Sequence, residues 1–339
     1  MKPTNELTRL GKIRRQRAYA RQALAQYPLD VRRADLIGTD TNLIYRVTTT
    51  DGAQYILRLA FPGWRTAENA ESEVLWLSAL ARDTDIPVPR LLRTHAGDIL
   101  YQFTDADVAR RAVLMTYLPG TLLGKRLTEP NLFKMGELFA KLHRHGKEWQ
   151  PPAGFSSHTF NRYMSRGEPD ALFADAQRDT FPRNAFTDHQ WDVITRMRAR
   201  VEAAYAALDP ADLRVIHCDL WHDNIKVYRG ELAPFDFEDT IWGYRIHDLA
   251  MALLDLAEDA GVARYNELLP VFRAGYESLL PWPEGDLGVF QMGRVLWRLN
   301  WIARFWRKGL ADAVAFDTEL FERFEAEGKL SDPLRPAGG

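Results

Sequence analysis

The residues that point to chemistry lie in one short stretch of the chain. His217, Asp219 and Asn224 occupy a polar loop, and Asp236 follows after one further apolar run. The spacing His-x-Asp-x-x-x-x-Asn, with a second Asp beyond the next apolar run, is the catalytic-loop and metal-ligand pattern of kinase-type phosphoryl transfer. That chemistry needs a carboxylate to accept the proton of an attacking hydroxyl and oxygen ligands for Mg²⁺ on the nucleotide phosphates. We therefore predict that Asp219 is the catalytic base and that Asn224 and Asp236 bind the metal.

A purely structural interpretation of the same residues competes with this one. Asp and Asn are common in loops because their side chains cap and turn the backbone, so an isolated Asp-x-x-x-x-Asn more often marks a turn than a site. Here strongly apolar segments, 215–216 and 225–227, flank the polar loop, and Asp236 stands where the second acid is required. These features favour the catalytic interpretation, with one strand leading into the loop and two short strands following it.

A cation in the N-terminal third of the chain fits the same chemistry. Arg58 lies in the predicted strand 54–59 among apolar neighbours, and a predicted helix over 66–82 follows it. In kinase architecture a cation on the third strand binds the α- and β-phosphates and pairs with a helix glutamate. We predict Glu73 as that partner because it directly precedes the apolar face, with Glu71 as the second candidate. A solvent-exposed arginine at a strand edge is the alternative.

Two other segments are candidates for nucleotide contacts. The loop from Gly38 to Asn42 joins two predicted strands, and its small residues could lay backbone N–H groups over phosphates, although most such sequences are plain turns. Neither a Gly-x-Gly-x-x-Gly nor a Gly-Lys-Ser/Thr motif is present, which argues against Rossmann and Walker-type sites. The apolar strand predicted over 112–118 offers backbone groups around Met115 and Tyr117 that could hold the base.

Composition and charge exclude several classes of protein. The chain has 339 residues, 46% of them hydrophobic and 27% charged, and this ordinary globular composition favours two lobes at this length. The formal net charge of −2 gives no general attraction to nucleic acid or membrane. The single cysteine, Cys218, rules out an internal disulfide framework. No apolar run reaches transmembrane length and the first residues do not resemble a signal peptide, so we expect a soluble cytoplasmic protein without nucleic-acid or membrane partners.

Hydrophobic periodicity predicts a first part made mainly of strands and a second part made mainly of helices. The predicted elements of the first part are helix 8–27, strands 34–38, 43–48 and 54–59 with an Asp51-Gly52 hairpin, helix 66–82, and strands near 90–94, 99–103 and 112–118. Those of the second part are helices 131–144 and 188–208, a long connection over 150–187, a helix from 247, and three or four helices over 264–327. With a boundary at Pro119-Gly120, we predict an N-terminal lobe over 1–118, a helical lobe over 119–330 and a disordered tail over 331–339.

The first predicted helix carries a basic face, made of Lys12, Arg14, Arg15 and Arg21. A nucleic-acid contact is conceivable for such a face. No matching basic stripe follows in the next segments, and this favours an ordinary solvated face.

Four further polar positions have predicted roles outside the chemical step. His217 is expected to support the backbone of the catalytic loop rather than to act as the base. Asp248, near the start of a predicted helix, suits helix capping and could equally brace the catalytic loop through hydrogen bonds. His143 and His145 end another helix, where cations are favoured, and their spacing argues against a shared metal.

The catalytic stretch resembles the catalytic loop of the aminoglycoside phosphotransferase and choline kinase superfamily, whose usual form is His-Gly-Asp-Leu-His-Pro-Gly-Asn. Residues 235–239 resemble the metal segment of that superfamily, and further matches in order extend the likeness over about residues 34–310, at 55–58, 73–77, 86–89 and 138–143. The resemblance implies an α+β, bilobal protein-kinase-like fold, in which a small antiparallel-sheet lobe binds ATP and a larger helical lobe carries the catalytic loop and the acceptor site. It also implies ATP as the donor and Mg²⁺ as the cofactor.

The sequence departs from the usual form of that superfamily in four places. Cys218 replaces the glycine, Trp221 replaces a histidine, and His222-Asp223 replaces Pro-Gly. Arg58 stands where many relatives have lysine, and an arginine can still fork onto phosphate oxygens. None of these changes removes a predicted catalytic or metal-binding residue, but they leave open which branch the chain resembles.

Three functions follow as hypotheses. The first is a Mg²⁺-ATP-dependent kinase that phosphorylates a hydroxyl of a small molecule such as an aminoglycoside, an amino-alcohol, a homoserine-like amino acid or a sugar. The second is a Ser/Thr protein kinase, as the stress-kinase-like branch of the superfamily suggests. The third is a nucleotide-binding pseudokinase, against which the presence of all three polar catalytic positions argues.

Two features bear on the acceptor, and each has an ordinary structural alternative. Acids near or after the metal segment could attract a cationic amine or could form a solvated face; they are Glu238, Asp239, Asp255, Glu258 and Asp259. Large aromatic residues at helical spacing are usually core but could form one wall of an acceptor pocket; they are Trp297, Trp301, Phe305 and Trp306, interleaved with Arg294, Arg298, Arg304 and Arg307.

Overall fold

The computed structural model describes residues 8–39, 41–61, 65–105, 108–164, 169–173 and 180–335, with only the backbone of Arg9 and Lys12. The chain divides into two compact units, Met1–Gly120 with Gln150–Ser156 and Thr121–Trp149 with Ser157–Gly339. Asp40, in the loop predicted to contact phosphates, lies outside the described residues, as do residues 336–339 of the predicted tail.

The first unit is built on an antiparallel sheet. Over the described residues its strands are β1 (Val31–Gly38), β2 (Asn42–Thr49), β3 (Gln54–Ala60), β4 (Leu100–Asp105) and β5 (Val108–Thr116), in the order β1-β2-β3-β5-β4. Two helices, α1 (Arg9–Leu24) and α2 (Ala67–Asp83), accompany the sheet. The predicted hairpin is confirmed, since β2 pairs with β3 across a turn in which Gly52 takes the left-handed conformation, with φ of 88°.

The strand predicted near 90–94 is wrong. In this segment only Leu91 forms an isolated bridge, to Met115 of β5, with hydrogen bonds from Leu92 N–H to Leu114 and from Thr116 N–H to Arg90. Two prolines lie directly upstream in Ile86-Pro87-Val88-Pro89. Proline has no N–H to give to a ladder, so the segment stays extended without becoming a strand.

The two faces of this sheet carry different residues. Tyr45 of β2 pairs with Leu57 of β3, and both belong to the buried apolar cluster that also contains residues of α1. The neighbouring pair, Ile44 and Arg58, points to the opposite face because successive side chains of a strand alternate. Arg58 meets α2 on that second face, through Glu73.

The second unit is mainly helical, as predicted. In the described ranges its helices are α3 (Glu129–Glu148), α4 (Asp188–Ala206), α5 (Arg245–Ala260), α6 (Val262–Glu277), α7 (Leu287–Phe305) and α8 (Leu310–Glu327). Its short strands are β6 (Thr121–Leu122), β7 (Thr159–Phe160), β8 (Arg214–Ile216), β9 (Ile225–Tyr228), β10 (Glu231–Pro234) and β11 (Ile241–Gly243), in two sheets ordered β10-β9-β6 and β7-β11-β8. None of the helices that the structure describes has the length and apolar character needed to cross a membrane.

Two glycines allow α3 and α6 to cross at very short distance. A Cβ atom on Gly136 would lie 2.0 Å from the carbonyl oxygen of Phe272, and one on Gly275 would lie 1.9 Å from that of Phe133. Only glycine fits where two backbones approach this closely. The crossing also brings His143 of α3 to the helix that carries Tyr276, one residue after Gly275.

Candidate active site

A strand, a loop and a turn bring Asp219 and Asn224 together. β8 ends at Ile216, and a short 3₁₀ turn over His222–Asn224 leads into β9. The Asn224 Nδ2 group donates hydrogen bonds to the backbone carbonyl of Asp219 at 2.8 Å and to its Oδ2 at 3.1 Å. The loop is therefore closed on itself, and the Asp219 side chain, 31% exposed, remains accessible to a substrate.

The β9–β10 hairpin brings the chain back, so that Asp236 follows the strand end that lies beside Asn224. Pro234 pairs with Ile225, and the next residue, Phe235, donates its N–H to the Asn224 carbonyl at 3.0 Å. Asp236 follows in the left-handed region, with φ of 64° and ψ of 61°, which is uncommon for a residue other than glycine. His217 Nε2 donates to the Phe235 carbonyl at 3.1 Å, next to Asp236, and its predicted support of the catalytic-loop backbone stays a prediction.

Cys218 has a backbone conformation that favours glycine. Its φ is 65°, and its N–H donates to Asp248 Oδ1 at 2.7 Å. The Sγ atom is fully buried, 3.6 Å from His247 Nε2 and 3.9 Å from Met251 Sδ. Two roles were predicted for Asp248. The structure gives the hydrogen bond that the second role requires, in which Asp248 braces the catalytic loop, and it gives no side-chain cap at the start of this helix.

A buried network continues from Asp248 into the helical core. His143 Nε2 lies 3.0 Å from Asp248 Oδ2, and His143 Nδ1 lies 2.9 Å from the Tyr276 hydroxyl. Arg245 Nη1 donates to the same hydroxyl at 3.4 Å. Sequence reasoning missed this network, because it treated His143 as a cation at a helix end. The available signal was its position one turn after Phe139, on the apolar face of α3.

Burial sets the protonation states in this network. Burial lowers the pKa of His143, and the hydrogen bond to Asp248 only partly offsets this effect. Burial on its own would raise the pKa of Asp248, but hydrogen bonds from His143 and the Cys218 N–H hold it below its usual range. Burial also raises the pKa of Tyr276 to about 12, so its hydroxyl stays protonated. A neutral His143 then donates from Nε2 to an ionised Asp248 and accepts at Nδ1 from Tyr276.

Arg58 in the first unit is a buried cation with a fixed partner. Its Nη2 forms an ion pair with Glu73 Oε2, and the two side chains are 9% and 4% exposed. Glu71, the second candidate, is exposed to solvent. The low exposure of Arg58 excludes the alternative of a solvent-exposed arginine at a strand edge.

The other predicted nucleotide contacts also lie in the first unit. Gly38 ends β1 and Asn42 begins β2, where the Asn42 side chain donates to Thr41 Oγ1 at 3.4 Å. Met115 is buried in β5, and the Tyr117 N–H donates to the Gln54 carbonyl at 3.2 Å. The contacts of these four residues with a nucleotide stay predictions.

Three of the acids that could have attracted a cationic acceptor are already paired. Arg298 forms ion pairs with Asp255 and Glu258, whose side chains are 10% and 2% exposed. Asp259 Oδ2 lies 2.8 Å from His222 Nε2. Asp255 and Glu258 are therefore largely buried in ion pairs and do not form a solvated face, whereas Asp259 is exposed. Attraction of a cationic amine by these acids stays a prediction.

The four aromatic residues that were predicted at helical spacing, at 297, 301, 305 and 306, do not lie on the core face of α7. The buried face is made of other residues, among them Val295, Leu296, Leu299 and Ile302. Trp297 and Trp301 are half-buried, while Phe305 and Trp306 are 51% and 58% exposed. This partly exposed face continues to Arg294, whose guanidinium lies over the Trp297 ring at 4.4 Å. The Nη2 atom of Arg294 is 3.8 Å from Asp219 Oδ1. Sequence reasoning missed the contact with Asp219, since no local pattern links the two positions.

Comparison with known proteins identifies the family. The sequence model described as the phosphotransferase enzyme family matches residues 38–282. An uncharacterized protein of Synechocystis is 26% identical over 247 residues, which cover 70% of this chain and 63% of that protein. The chain thus spans less than two thirds of this curated relative.

Solved structures share the fold at low sequence identity. The structure of the microcompartment-associated aminopropanol kinase has a TM-score of 0.73 and 24% identity, covering 93% of this chain and 99% of that one. An amicoumacin kinase in complex with AMP-PNP, Ca²⁺ and Ami has a TM-score of 0.73 and 16% identity, covering 90% and 93%. A spectinomycin phosphotransferase in complex with ADP and spectinomycin has a TM-score of 0.57 and 12% identity, covering 94% of each chain. With the α+β architecture and the family match over residues 38–282, the chain belongs to the phosphotransferase enzyme family and has its protein-kinase-like fold.

Proposed function

We propose that the protein is an ATP-dependent phosphotransferase that transfers a phosphoryl group to a hydroxyl of a small molecule. The observation that supports this most is the contact between the Asp219 and Asn224 side chains, in a loop held against the β9–β10 hairpin that leads to Asp236. The motif predicts this convergence for phosphoryl transfer, whereas turn chemistry alone requires only local backbone contacts.

Asp219 is the proposed base. Its Oδ2 accepts from Asn224, which fixes the orientation of the carboxylate, and its side chain remains accessible. An acceptor hydroxyl positioned at this carboxylate can donate a hydrogen bond to it and transfer its proton as the new O–P bond forms. Arg294, 3.8 Å from Oδ1, is placed to contact the acceptor or the transferred group.

Asn224 and Asp236 are the proposed metal ligands. The Nδ2 of Asn224 points to Asp219, so its amide oxygen is directed elsewhere, and with the Asp236 carboxylate it offers the hard oxygen donors that Mg²⁺ prefers. Within the described ranges, no group of three or more His, Cys, Asp or Glu side chains could hold a metal by itself. A two-residue donor set suits Mg²⁺, which usually takes its remaining ligands from water and substrate phosphates. When bound, Mg²⁺ would neutralise charge that develops on the phosphate oxygens.

Arg58 is the proposed phosphate-binding cation. Its ion pair with Glu73 is nearly buried, and this fixes the direction of the guanidinium before any nucleotide arrives. An arginine presents a planar fork of donors that matches phosphate oxygens. Gly38, Asn42, Met115 and Tyr117 are proposed as further contacts with ATP.

The acceptor is proposed to be a small molecule with a flat or apolar part next to its reactive hydroxyl. The similar structures are those of an aminopropanol kinase, an amicoumacin kinase and a spectinomycin phosphotransferase. In this chain two acids of α5, Asp255 and Glu258, are paired with Arg298, while the half-buried rings of Trp297 and Trp301 lie on the helix face that begins beside Asp219. This supports an acceptor that is recognised by ring contact more than by cationic amines.

An ATP-consumption screen over hydroxyl compounds tests the proposal. The panel includes amino-alcohols, amino sugars, hydroxy amino acids and aromatic alcohols, with casein as a protein acceptor. For an acceptor that supports turnover, Asp219→Asn should lower kcat by about 10²- to 10⁴-fold, the usual contribution of a general base, with nucleotide affinity nearly unchanged. Glu231→Gln, an exposed acid in β10, is the matched control and should leave kcat unchanged.

Each other outcome favours a different hypothesis. An unaltered kcat in Asp219→Asn would refute the assignment of the base. Phosphate transfer to casein, without transfer to any small molecule, would favour a protein kinase. Nucleotide binding without ATP consumption across the whole panel would favour a pseudokinase.

A further inference from the structure

The first unit contains a groove that the proposed phosphotransferase chemistry does not use. It has a volume of about 570 Å³ and lies between α1 and the first two strands of the sheet. We propose that this groove is a second ligand site, which binds a small organic phosphate ester.

Four arginines line the groove. Arg17 and Arg21 are one turn apart on α1, and Arg32 and Arg33 are adjacent on β1. Among the described residues that line it there is no acid. Arg33 has a nearby partner in Asp35, at 2.7 Å, and the two side chains are 70% and 30% exposed. Like charges four residues apart on a helix disfavour the folded state, so an anion in the groove would relieve their repulsion.

The hydroxyl of Tyr45 is a second and independent sign of a ligand. Tyr45 lines the groove, is only 2% exposed, and its hydroxyl has no hydrogen-bond partner among the residues that the structure describes. Buried polar groups in proteins are nearly always hydrogen-bonded, and an exception calls for an explanation such as a bound group. Burial raises the pKa of Tyr45, an effect that the positive charge of Arg17 opposes, so the hydroxyl stays protonated and is able to donate.

The remaining walls define the rest of the ligand. They are apolar and include Ala20, Leu24, Leu29 and Val31. Arginine forks and a hydroxyl donor match the oxygens of a phosphate monoester, while the apolar walls match a short hydrocarbon or ring attached to it. A volume of about 570 Å³ is within the usual range for sites that bind small metabolites.

The groove lies on the opposite face of the sheet from Arg58. Tyr45 pairs with Leu57, whereas Arg58 pairs with Ile44, and the two pairs point to opposite faces. A ligand bound at Tyr45 therefore does not occupy the space around Arg58 and Glu73. A nucleotide should therefore not compete with a ligand that is bound in the groove.

Calorimetric titration of the full chain with phenyl phosphate tests the proposal. We expect saturable binding by the wild type that persists when AMP-PNP is present in excess. Arg17→Gln and Tyr45→Phe should each weaken binding at least 10-fold. Arg14→Gln is the matched control, because Arg14 is an exposed arginine of the same helix that does not line the groove, and it should bind like the wild type. Tyr45→Phe should also melt no lower than the wild type, because the hydroxyl that it removes has no partner.

Four results would overturn the proposal. The first is the absence of phenyl phosphate binding at millimolar concentration. The second is displacement by AMP-PNP, which would place the ligand at a nucleotide site. The third is an equal loss of affinity in Arg14→Gln, which would indicate attraction to the whole basic helix. The fourth is binding of a single-stranded oligonucleotide in preference to phenyl phosphate, which would identify that helix as a nucleic-acid contact.

Discussion

Replacement of Asp248 by asparagine tests the buried brace under the catalytic loop. Asp248 is 1% exposed, and its carboxylate accepts from the Cys218 N–H at 2.7 Å and from His143 Nε2 at 3.0 Å. An asparagine keeps one acceptor for Cys218 but turns an amide N–H toward the His143 N–H. A hydrogen bond to a charged group is worth about 1.5–3 kcal/mol, and an orphaned buried donor costs about 1–3 kcal/mol. A tautomer change in His143 offsets part of this sum, so we expect the free energy of unfolding to fall by about 2–4 kcal/mol.

The alanine variant at the same position separates the brace from simple packing. Asp248→Ala removes both carboxylate oxygens, so the Cys218 N–H and the His143 Nε2–H stay buried without a hydrogen-bond acceptor. The expected loss is about 3–5 kcal/mol, as for other broken buried pairs. Since Cys218 directly precedes Asp219, kcat should fall more in Asp248→Ala than in Asp248→Asn, which retains the Cys218 contact.

Urea denaturation followed by circular dichroism gives the free energies of unfolding. Glu277→Gln is the matched control, because it makes the same kind of change in an exposed acid that pairs with Arg273 at 2.9 Å. Its effect should stay within about 0.5 kcal/mol, as is usual at the surface. The reasoning is refuted if Asp248→Asn is as stable as this control, or if Asp248→Ala is no less stable than Asp248→Asn.

Three further predictions concern other buried charges and the acceptor. Arg58→Ala leaves Glu73 buried without its cation and should cost about 3–5 kcal/mol, while the double variant with Glu73→Ala should recover part of this loss in a double-mutant cycle of unfolding free energies. Burial, opposed by Arg335, raises the pKa of Asp317 from 3.8 to about 7, so the folded state binds this proton more tightly than the unfolded state. The unfolding free energy of the wild type, relative to that of Asp317→Asn, should therefore be greatest below pH 3.8 and fall as the pH rises through about 7. The same difference in unfolding free energy at pH 5 and at pH 8 would contradict this. Trp297→Ala should raise the KM for the acceptor about 10-fold, or about 1.4 kcal/mol, and leave the KM for ATP unchanged, whereas equal changes in both would argue against ring contact with the acceptor.

The parts of the site that the sequence predicted depend on short separations along the chain. Asn224 reaches Asp219 across five positions, and Arg58 reaches Glu73 across fifteen. Each contact is set by one loop or by one strand followed by one helix, and the residue types of those segments specify these local structures. For this reason the pattern of the loop, and the choice of Glu73 over Glu71, could be inferred before any coordinates were known.

The parts that the sequence did not predict depend on helix packing over long separations. His143 is 105 positions from Asp248 and 133 positions from Tyr276. Their meeting requires the close crossing of α3 and α6 at Gly136 and Gly275, and nothing in either helix alone specifies that partner. The contact of Arg294 with Asp219 has the same origin, because it depends on where α7 packs rather than on the pattern of α7 itself.

Cys218 shows how these two kinds of information combine. The usual superfamily form has glycine at this position, a residue that adopts positive φ at little cost. The chain keeps a φ of 65° with a cysteine, so the backbone conformation survives the loss of the residue that most favours it. The hydrogen bond from the Cys218 N–H to Asp248 and the closure of the loop by Asn224 supply the compensating contacts on either side. It follows that the placement of Asp219 depends on the buried brace more than on the residue type at 218, and that Asp248 is the position where a substitution should displace the loop.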